Sequence, residues 1–145
     1  MPEHRRGAGV LFYDVRERRV LLYRRDNAPT IPFPGHIDIL GGAIEAGETP
    51  EQTVVREIAE ELDDLRRDAP FVLADQRLFM VYTDARGNEH YVFSRAADFD
   101  LADLRLKEGE ALLWLKEEDI GRTRFAFGFE QVVSDFFRAL REGRV

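Results

Sequence analysis

Cysteine is absent from the 145 residues. The chain therefore has no disulfide framework, no thiolate metal site and no cysteine nucleophile, and nothing in it speaks against a reducing cytosol. Long apolar runs are also missing. No stretch approaches the roughly 18 residues of a membrane span, and the opening MPEHRRGAG lacks the apolar core of a signal peptide. A cytoplasmic location without membrane contact is the expectation. Basic charge is in deficit, with 21 Lys and Arg against 28 Asp and Glu and a net charge of −7. That balance argues against a DNA or RNA polymer as partner, because such a partner favours a basic surface. It leaves small anions open, since a bound divalent cation can reverse the local field. Internal repeats and low-complexity tracts are missing too. What remains is 44% apolar residues, enough for one core, and a length that fits a single domain over residues 1–145.

Strand and helix signals alternate along the chain. Gly7 to Asp14 and Val20 to Arg24 are β-prone apolar runs around a charged turn, which predicts a hairpin. Asn27 to Gly35 holds three prolines and reads as an ordered loop. Ile37 to Leu40 predicts a short strand, and Gly41 to Glu48 a glycine-containing loop. Phe71 to Thr83 and His90 to Phe99 form a second predicted hairpin, with Asp84 to Asn88 as its turn. Ala111 to Leu115 is a last strand. Phe129, Val132, Val133, Phe136, Phe137 and Leu140 recur at helical spacing. Strands interrupted by one helix and closed by another predict an α/β (α+β) fold, with helices covering a sheet.

The internal helix carries the most information. Thr49 suits an N-cap, Pro50 the first helical position, and Gln52 completes a capping box. These signals predict a helix from Pro50 to about Asp63. With Glu57 set at 0° and about 100° per residue, Val55, Ile58, Ala59 and Leu62 make an apolar stripe centred at about 140°. Glu57, Glu60 and Glu61 cluster around 0°, opposite that stripe. Three glutamates on a helix are ordinarily just a solvated face. Yet like charges three and four apart cost roughly 0.2–0.5 kcal/mol per pair, and they lie beyond the first turn, where the helix dipole helps little. Hard oxygen ligands gathered on one face suit Mg²⁺ or Mn²⁺.

The spacing extends upstream. From Gly42, five residues lead to Glu48, and seven more to Arg56, Glu57, Ile58, Ala59, Glu60 and Glu61. This resembles the Nudix box, G-x5-E-x7-R-E-U-x-E-E-x-G-U, where U is a bulky aliphatic. Gly42, Glu48, Arg56, Glu57, Glu60 and Glu61 match its six fixed positions, a coincidence on the order of 10⁻⁷ per starting point from ordinary composition. The resemblance runs over Gly42 to Asp64 and, less specifically, over most of the chain. Asp63 and Asp64 depart from the family's terminal glycine and aliphatic. A different helix end is therefore expected, with Asp63 in a left-handed conformation and Leu65 packing in place of the aliphatic. Leu40 and Ile37 stand where many members have proline and tryptophan, differences that bear on the substrate subclass.

The resemblance implies a Nudix-like α/β/α sandwich with a mixed sheet between helices. It implies a metal-dependent pyrophosphohydrolase that cleaves a nucleoside diphosphate linked to another moiety, by water attack at phosphorus. The cofactor would be Mg²⁺ or Mn²⁺. Carried over by position, Glu57, Glu60 and Glu61 would be metal ligands, joined by the Gly41 carbonyl. Gly42, Glu48 and Arg56 would support the site, the latter two as an ion pair. Glu57 is the first candidate for the base that activates water. Glu110, beside the ALLWL strand, is the alternative, with Glu108 and Glu117 nearby. Arg24 is a candidate for substrate phosphate, with Arg25 beside it. Phe125, Phe127, Phe129 and Trp114 suit a core as well as base stacking, and His36 reads as structural. Small nucleotides are the expected partners, and a homodimer is common in the family. The alternative function is a non-catalytic nucleotide-sensing protein of the same fold, which a broken glutamate set would favour. An isopentenyl diphosphate isomerase-like reaction would need a cysteine.

Overall fold

A hairpin begins the fold. The computed structural model describes residues 5–145. Strands β1 (Arg6–Asp14) and β2 (Arg19–Arg24) pair antiparallel around Asp14. The Asp14 carboxylate accepts the backbone N–H of Arg16 and Glu17 and the Arg19 side chain. Beyond this turn the two strands diverge. Into the fork go β3 (Ile37–Asp38), which pairs with β2, and β4 (Leu40–Ala43), which pairs with β1. The first residues of the expected loop at Gly41 to Glu48 are thus strand.

Strands β7 (Arg77–Thr83) and β8 (Glu89–Ala96) form the second hairpin, and β10 (Ala111–Lys116) lies on the far edge. The order β10-β2-β1-β8-β7, with β3 and β4 in the fork, makes a seven-stranded sheet. It is mixed, because β8 runs parallel to β1 while its other pairings are antiparallel. A small second sheet joins β6 (Ala69–Pro70), β5 (Leu62–Asp64) and β9 (Leu104–Leu106).

Strand alternation sends side chains to two cores. Val10, Phe12, Leu21, Leu40 and Phe93 pack under helix α1 (Pro50–Glu61), where Phe12, Phe71 and Phe99 meet edge to face. Leu11, Val20, Leu22, Ile39 and Val92 pack on the other face against α2 (Glu130–Arg141), through Val132, Val133, Phe136 and Phe137. The molecule is an α/β/α sandwich.

Four expectations shift. Strand character begins at Arg77, not Phe71. Phe71 and Leu73 are buried by packing, outside the main-sheet ladder. Helix α1 ends at Glu61, with Leu62 extended, and its N–H bonds the Ile58 carbonyl. Asp63 is therefore not left-handed. It lies in β5, where Arg105 and Lys107 pair with its carboxylate, while Asp64 pairs with Arg66. Leu65 is 46% exposed and replaces no core aliphatic.

Candidate active site

The capping box sets where α1 starts. Gln52 N–H donates to Thr49 Oγ1 at 3.1 Å, and Thr49 N–H to Gln52 Oε1 at 2.9 Å. Once started, the helix presents Thr53, Val54, Ile58 and Glu61 to the sheet. This face is rotated from the expected stripe, because Val54 joins it while Val55 and Ala59 lie at its flank. The consequence is chemical. Glu61 is 5% exposed beneath the helix, not opposite the apolar stripe. Its Oε2 accepts the Gly41 N–H at 3.1 Å. Burial, reinforced by the charges of Glu57 and Glu108, pushes its carboxyl up to about 9.

Glu57 lies beside it, half sheltered. A Cβ on Gly42 would fall inside the Glu57 carboxylate, so only glycine leaves that carboxylate its place. Burial raises the Glu57 carboxyl, and Arg56 opposes the rise. Glu60 is the outer member of the group, its side chain 54% exposed. Arg56 ties the set together. Its Nε and Nη2 donate to the two oxygens of Glu48 at 2.7 and 2.9 Å. Its Nη1 reaches Glu57 at 2.9 Å and Glu60 at 3.3 Å, and Nη2 also donates to the Ala43 carbonyl. Arg56 holds Glu48 down at about 2. The guanidinium thus fastens the loop after β4 to the helix.

Among the described residues, no three carboxylate or imidazole groups converge as a ready-made cation site. The chemistry of the donors nevertheless fits a divalent cation. Glu57, Glu60 and Glu61 supply hard oxygens. Glu61 is buried beside like charges that a cation would relieve, and Gly42 leaves the space a side chain would fill.

The fork opens on a cleft of about 650 Å³ that reaches Gly41 and Gly42 at one end. Its wall carries a charged group in the interior. Asp38 is 5% exposed and accepts Arg25 Nη1 at 2.7 Å and the Tyr23 hydroxyl at 3.3 Å. Burial pushes the Asp38 carboxyl up, and Arg25 opposes this. Arg25 Nε donates to the Pro32 carbonyl, and its guanidinium lies 5.7 Å from the Phe127 ring centre. At the mouth Phe33 and Phe127 meet edge to face at 4.7 Å, with Arg86 over Phe33. Both phenylalanines have positive φ, 51° and 55°, a strained backbone of the kind that gathers at ligand clamps.

Of the residues singled out from the sequence, the structure links Gly41 to Glu61 and Gly42 to Glu57, and joins Glu48, Glu57 and Glu60 through Arg56. Arg24 is elsewhere. It is exposed, bonds the Gly35 carbonyl, and does not line the cleft, whereas Arg25 does. Glu110 accepts the Asn27 N–H at 3.2 Å. The nearby loop glutamate whose charge acts on Glu57 and Glu61 is Glu108. Of the aromatic residues, Phe125 and Phe129 are core, Trp114 packs on the α1 side, and Phe127 faces the cleft. Sequence reasoning missed Asp38, Asp84 and His90. An aspartate inside the apolar run Ile37–Leu40 was the available signal, because a charge at a core position demands a partner.

The NUDIX domain model matches residues 3–136 of the chain. Nucleoside triphosphatase NudI of Escherichia coli is 34% identical over 94 residues, a match covering 61% of this chain and 67% of that protein. The MutT NUDIX hydrolase of Burkholderia pseudomallei superposes with a TM-score of 0.67 at 25% identity, over 92% of this chain and 98% of that one. The NUDIX domain of Shewanella oneidensis NrtR, solved with ADP ribose, superposes with a TM-score of 0.71 at 20% identity, over 100% and 91%.

Proposed function

Since the chain belongs to the NUDIX domain family, we propose that it is a metal-dependent pyrophosphohydrolase acting on a nucleoside diphosphate linked to another moiety. The observation that carries this reading is Glu61, a carboxyl held under α1 against the Gly41 N–H and beside Glu57. A stable fold has no use for that arrangement, since burying a carboxyl next to like charges is unfavourable. The family generally needs a divalent metal. A bound Mg²⁺ or Mn²⁺ would neutralise the pyrophosphate oxygens and lower the pKa of its bound water. Glu57, Glu60 and Glu61 would hold it, with the Gly41 carbonyl beside them.

The chain's own residues do the rest. Arg56 shares charge with Glu57 and Glu60 and pins the helix to the Glu48 loop. Gly42 gives Glu57 its position. Water attacks phosphorus, a new P–O bond forms, and the anhydride P–O bond breaks with its bridging oxygen leaving on the departing phosphate. The water's proton passes to Glu57. The nucleoside end lies in the cleft between the fork and Phe127, which meets the acidic group at Gly41 and Gly42. The nucleoside triphosphatase relative supports nucleoside triphosphates as the first substrates to try.

The test is a hydrolysis screen with Mg²⁺ or Mn²⁺ over nucleoside triphosphates, nucleotide sugars and dinucleotides, with products separated by chromatography. Glu57→Gln should lower kcat by at least 10²–10⁴-fold, the usual share of a general base. Glu110→Gln and Glu108→Gln test the alternatives, and a carboxylate outside the reaction should change the rate less than about twofold. A wild-type protein that hydrolyses nothing in the screen would overturn the reading.

A further inference from the structure

One polar side chain on the cleft wall is fixed from several sides and left with a nitrogen to spare. His90 Nε2 bonds Asp84 Oδ2 at 2.8 Å. Asp84 is 7% exposed and also accepts the backbone N–H of Arg86 and Asn88 and the Asn88 amide. Burial pushes Asp84 up, but these donors more than offset it and leave the carboxyl below its ordinary value. An ionised Asp84 only accepts, so Nε2 carries the hydrogen, and Nδ1 of a neutral ring is an acceptor. The ring cannot swing away. Tyr82 stacks on it at 5.9 Å, and Phe127 and Phe129 meet it at 5.4 and 4.9 Å. Tyr82 in turn donates to the Phe127 and Gly128 carbonyls, holding the positive-φ turn beside the imidazole.

Nδ1 has no hydrogen-bond partner among the described residues, and His90 lines the cleft. The floor beside it is bare backbone. His90 pairs in register with Gly7, and a Cβ on Gly7 would lie 3.7 Å from Nδ1. A Cβ on Gly9 would strike the Leu40 carbonyl at 2.8 Å. Gly9 thus lets β4 lie close against β1, and Gly7 leaves open a slot beside Nδ1 that has Phe127 and Phe129 on its wall and one oriented acceptor at its edge. A slot of this form takes a planar heterocycle, whose faces the rings cover and whose edge supplies an N–H.

We infer that His90, oriented by Asp84, is a specificity-determining residue that accepts a hydrogen bond at Nδ1 from an N–H on the base of the nucleotide. This deepens the proposed function and rests on it for the identity of the ligand. His90 is a binding residue and Asp84 a positioning residue. Neither takes part in the phosphoryl step.

Two amide substitutions separate the ring's nitrogens. His90→Gln keeps a donor near the Nε2 position for Asp84 and removes Nδ1. His90→Asn places an amide near Nδ1 and gives up Asp84. Gly7→Ala leaves both residues intact and sets a methyl group against Nδ1, at an ordinary contact distance. The measurement is the dissociation constant of AMP, GMP, CMP and UMP for each protein by titration calorimetry, without metal. Melting by circular dichroism confirms that each variant folds. The expected result is that the best-bound monophosphate weakens about three- to tenfold in His90→Gln and Gly7→Ala, the worth of one neutral hydrogen bond. His90→Asn should remain closer to wild type. If His90→Gln and Gly7→Ala bind as wild type does, the pair only pins the hairpin turn and the inference fails. If wild type binds none of the four, it fails as well. Binding is read without turnover, so an inactive wild type that still loses affinity in these variants would overturn the hydrolase reading alone.

Discussion

Glu57 and Gly42 share a single volume. The carboxylate occupies the volume that any side chain at 42 would need. Gly42→Ala must therefore push Glu57 outward or shift β4. Misplacing a reacting group by about 1 Å can cost about 10²-fold in rate. Gly42→Ala should lower kcat by roughly that factor while the far-ultraviolet spectrum stays native. Gly121→Ala is the control, because a Cβ there meets nothing within 4 Å. Full activity in Gly42→Ala would show that the position of Glu57 does not matter. Glycine and glutamate at this spacing were legible in the sequence, and so was the tie between Glu48 and Arg56. The depth of Glu61 was not. An angular projection ranks faces by the apolar residues on them, and Val54 moves the buried face by more than half a right angle toward the acids. Asp84 and His90 were hidden for another reason: their meaning depends on Gly7 and Phe129, which only the folded chain brings to them.

Helix α1 follows directly on the loop that ends at Glu48, and Arg56, with Thr53, folds that loop back against the helix. The guanidinium holds both oxygens of Glu48, the Ala43 carbonyl, Glu57 and Glu60. Lysine carries the same charge but lacks the planar fork. Arg56→Lys should lower kcat about tenfold or more and reduce stability by about 1–2 kcal/mol, since hydrogen bonds to charged groups are being lost from a partly sheltered site. Urea unfolding and steady-state kinetics on one preparation separate the two effects. A loss of stability with unchanged kcat would reduce Arg56 to a structural tie. The element's start was readable from Thr49, Pro50 and Gln52, because capping is local chemistry. Its end was not. Asp63 continues as strand because Arg105 and Lys107 wait for it on a segment some forty residues away.

Across the whole molecule, one sheet covered by helices was legible from strand and helix periods, whereas the division of its apolar side chains into two cores was not. The short strands β5, β6 and β9 were not, since two or three residues carry no period. The balance of charges in the whole chain sets its response to pH. Glu61 has its carboxyl raised from 4.5 to about 9, so the folded chain holds this proton more tightly than the unfolded one. That contribution is complete below about pH 4.5 and is lost as pH rises through 9. Asp38 and Glu57 tilt the same way. Glu48, Asp63, Asp64 and Asp84 are lowered and lose stability only in acid. With a chelator present, Tm should fall between about pH 5 and 9. Millimolar Mg²⁺ should raise Tm, more so at the alkaline end, because its ligands must be ionised. Glu61→Gln should flatten the slope and weaken the Mg²⁺ response. An unchanged slope and response in that variant would place the titrating group elsewhere. Residues 37–43 border the cleft on one side and the acidic helix on the other. Inserting or deleting one residue there would turn its side chains over, sending Asp38 to the face of Ile37 and Ile39. The three segments that meet at the cleft mouth, around Phe33, Arg86 and Phe127, are under no such constraint. Those three loops can therefore change in length and sequence and reshape the cleft mouth, while this seven-residue rail keeps Gly41 against Glu61 and Gly42 against Glu57 beneath them.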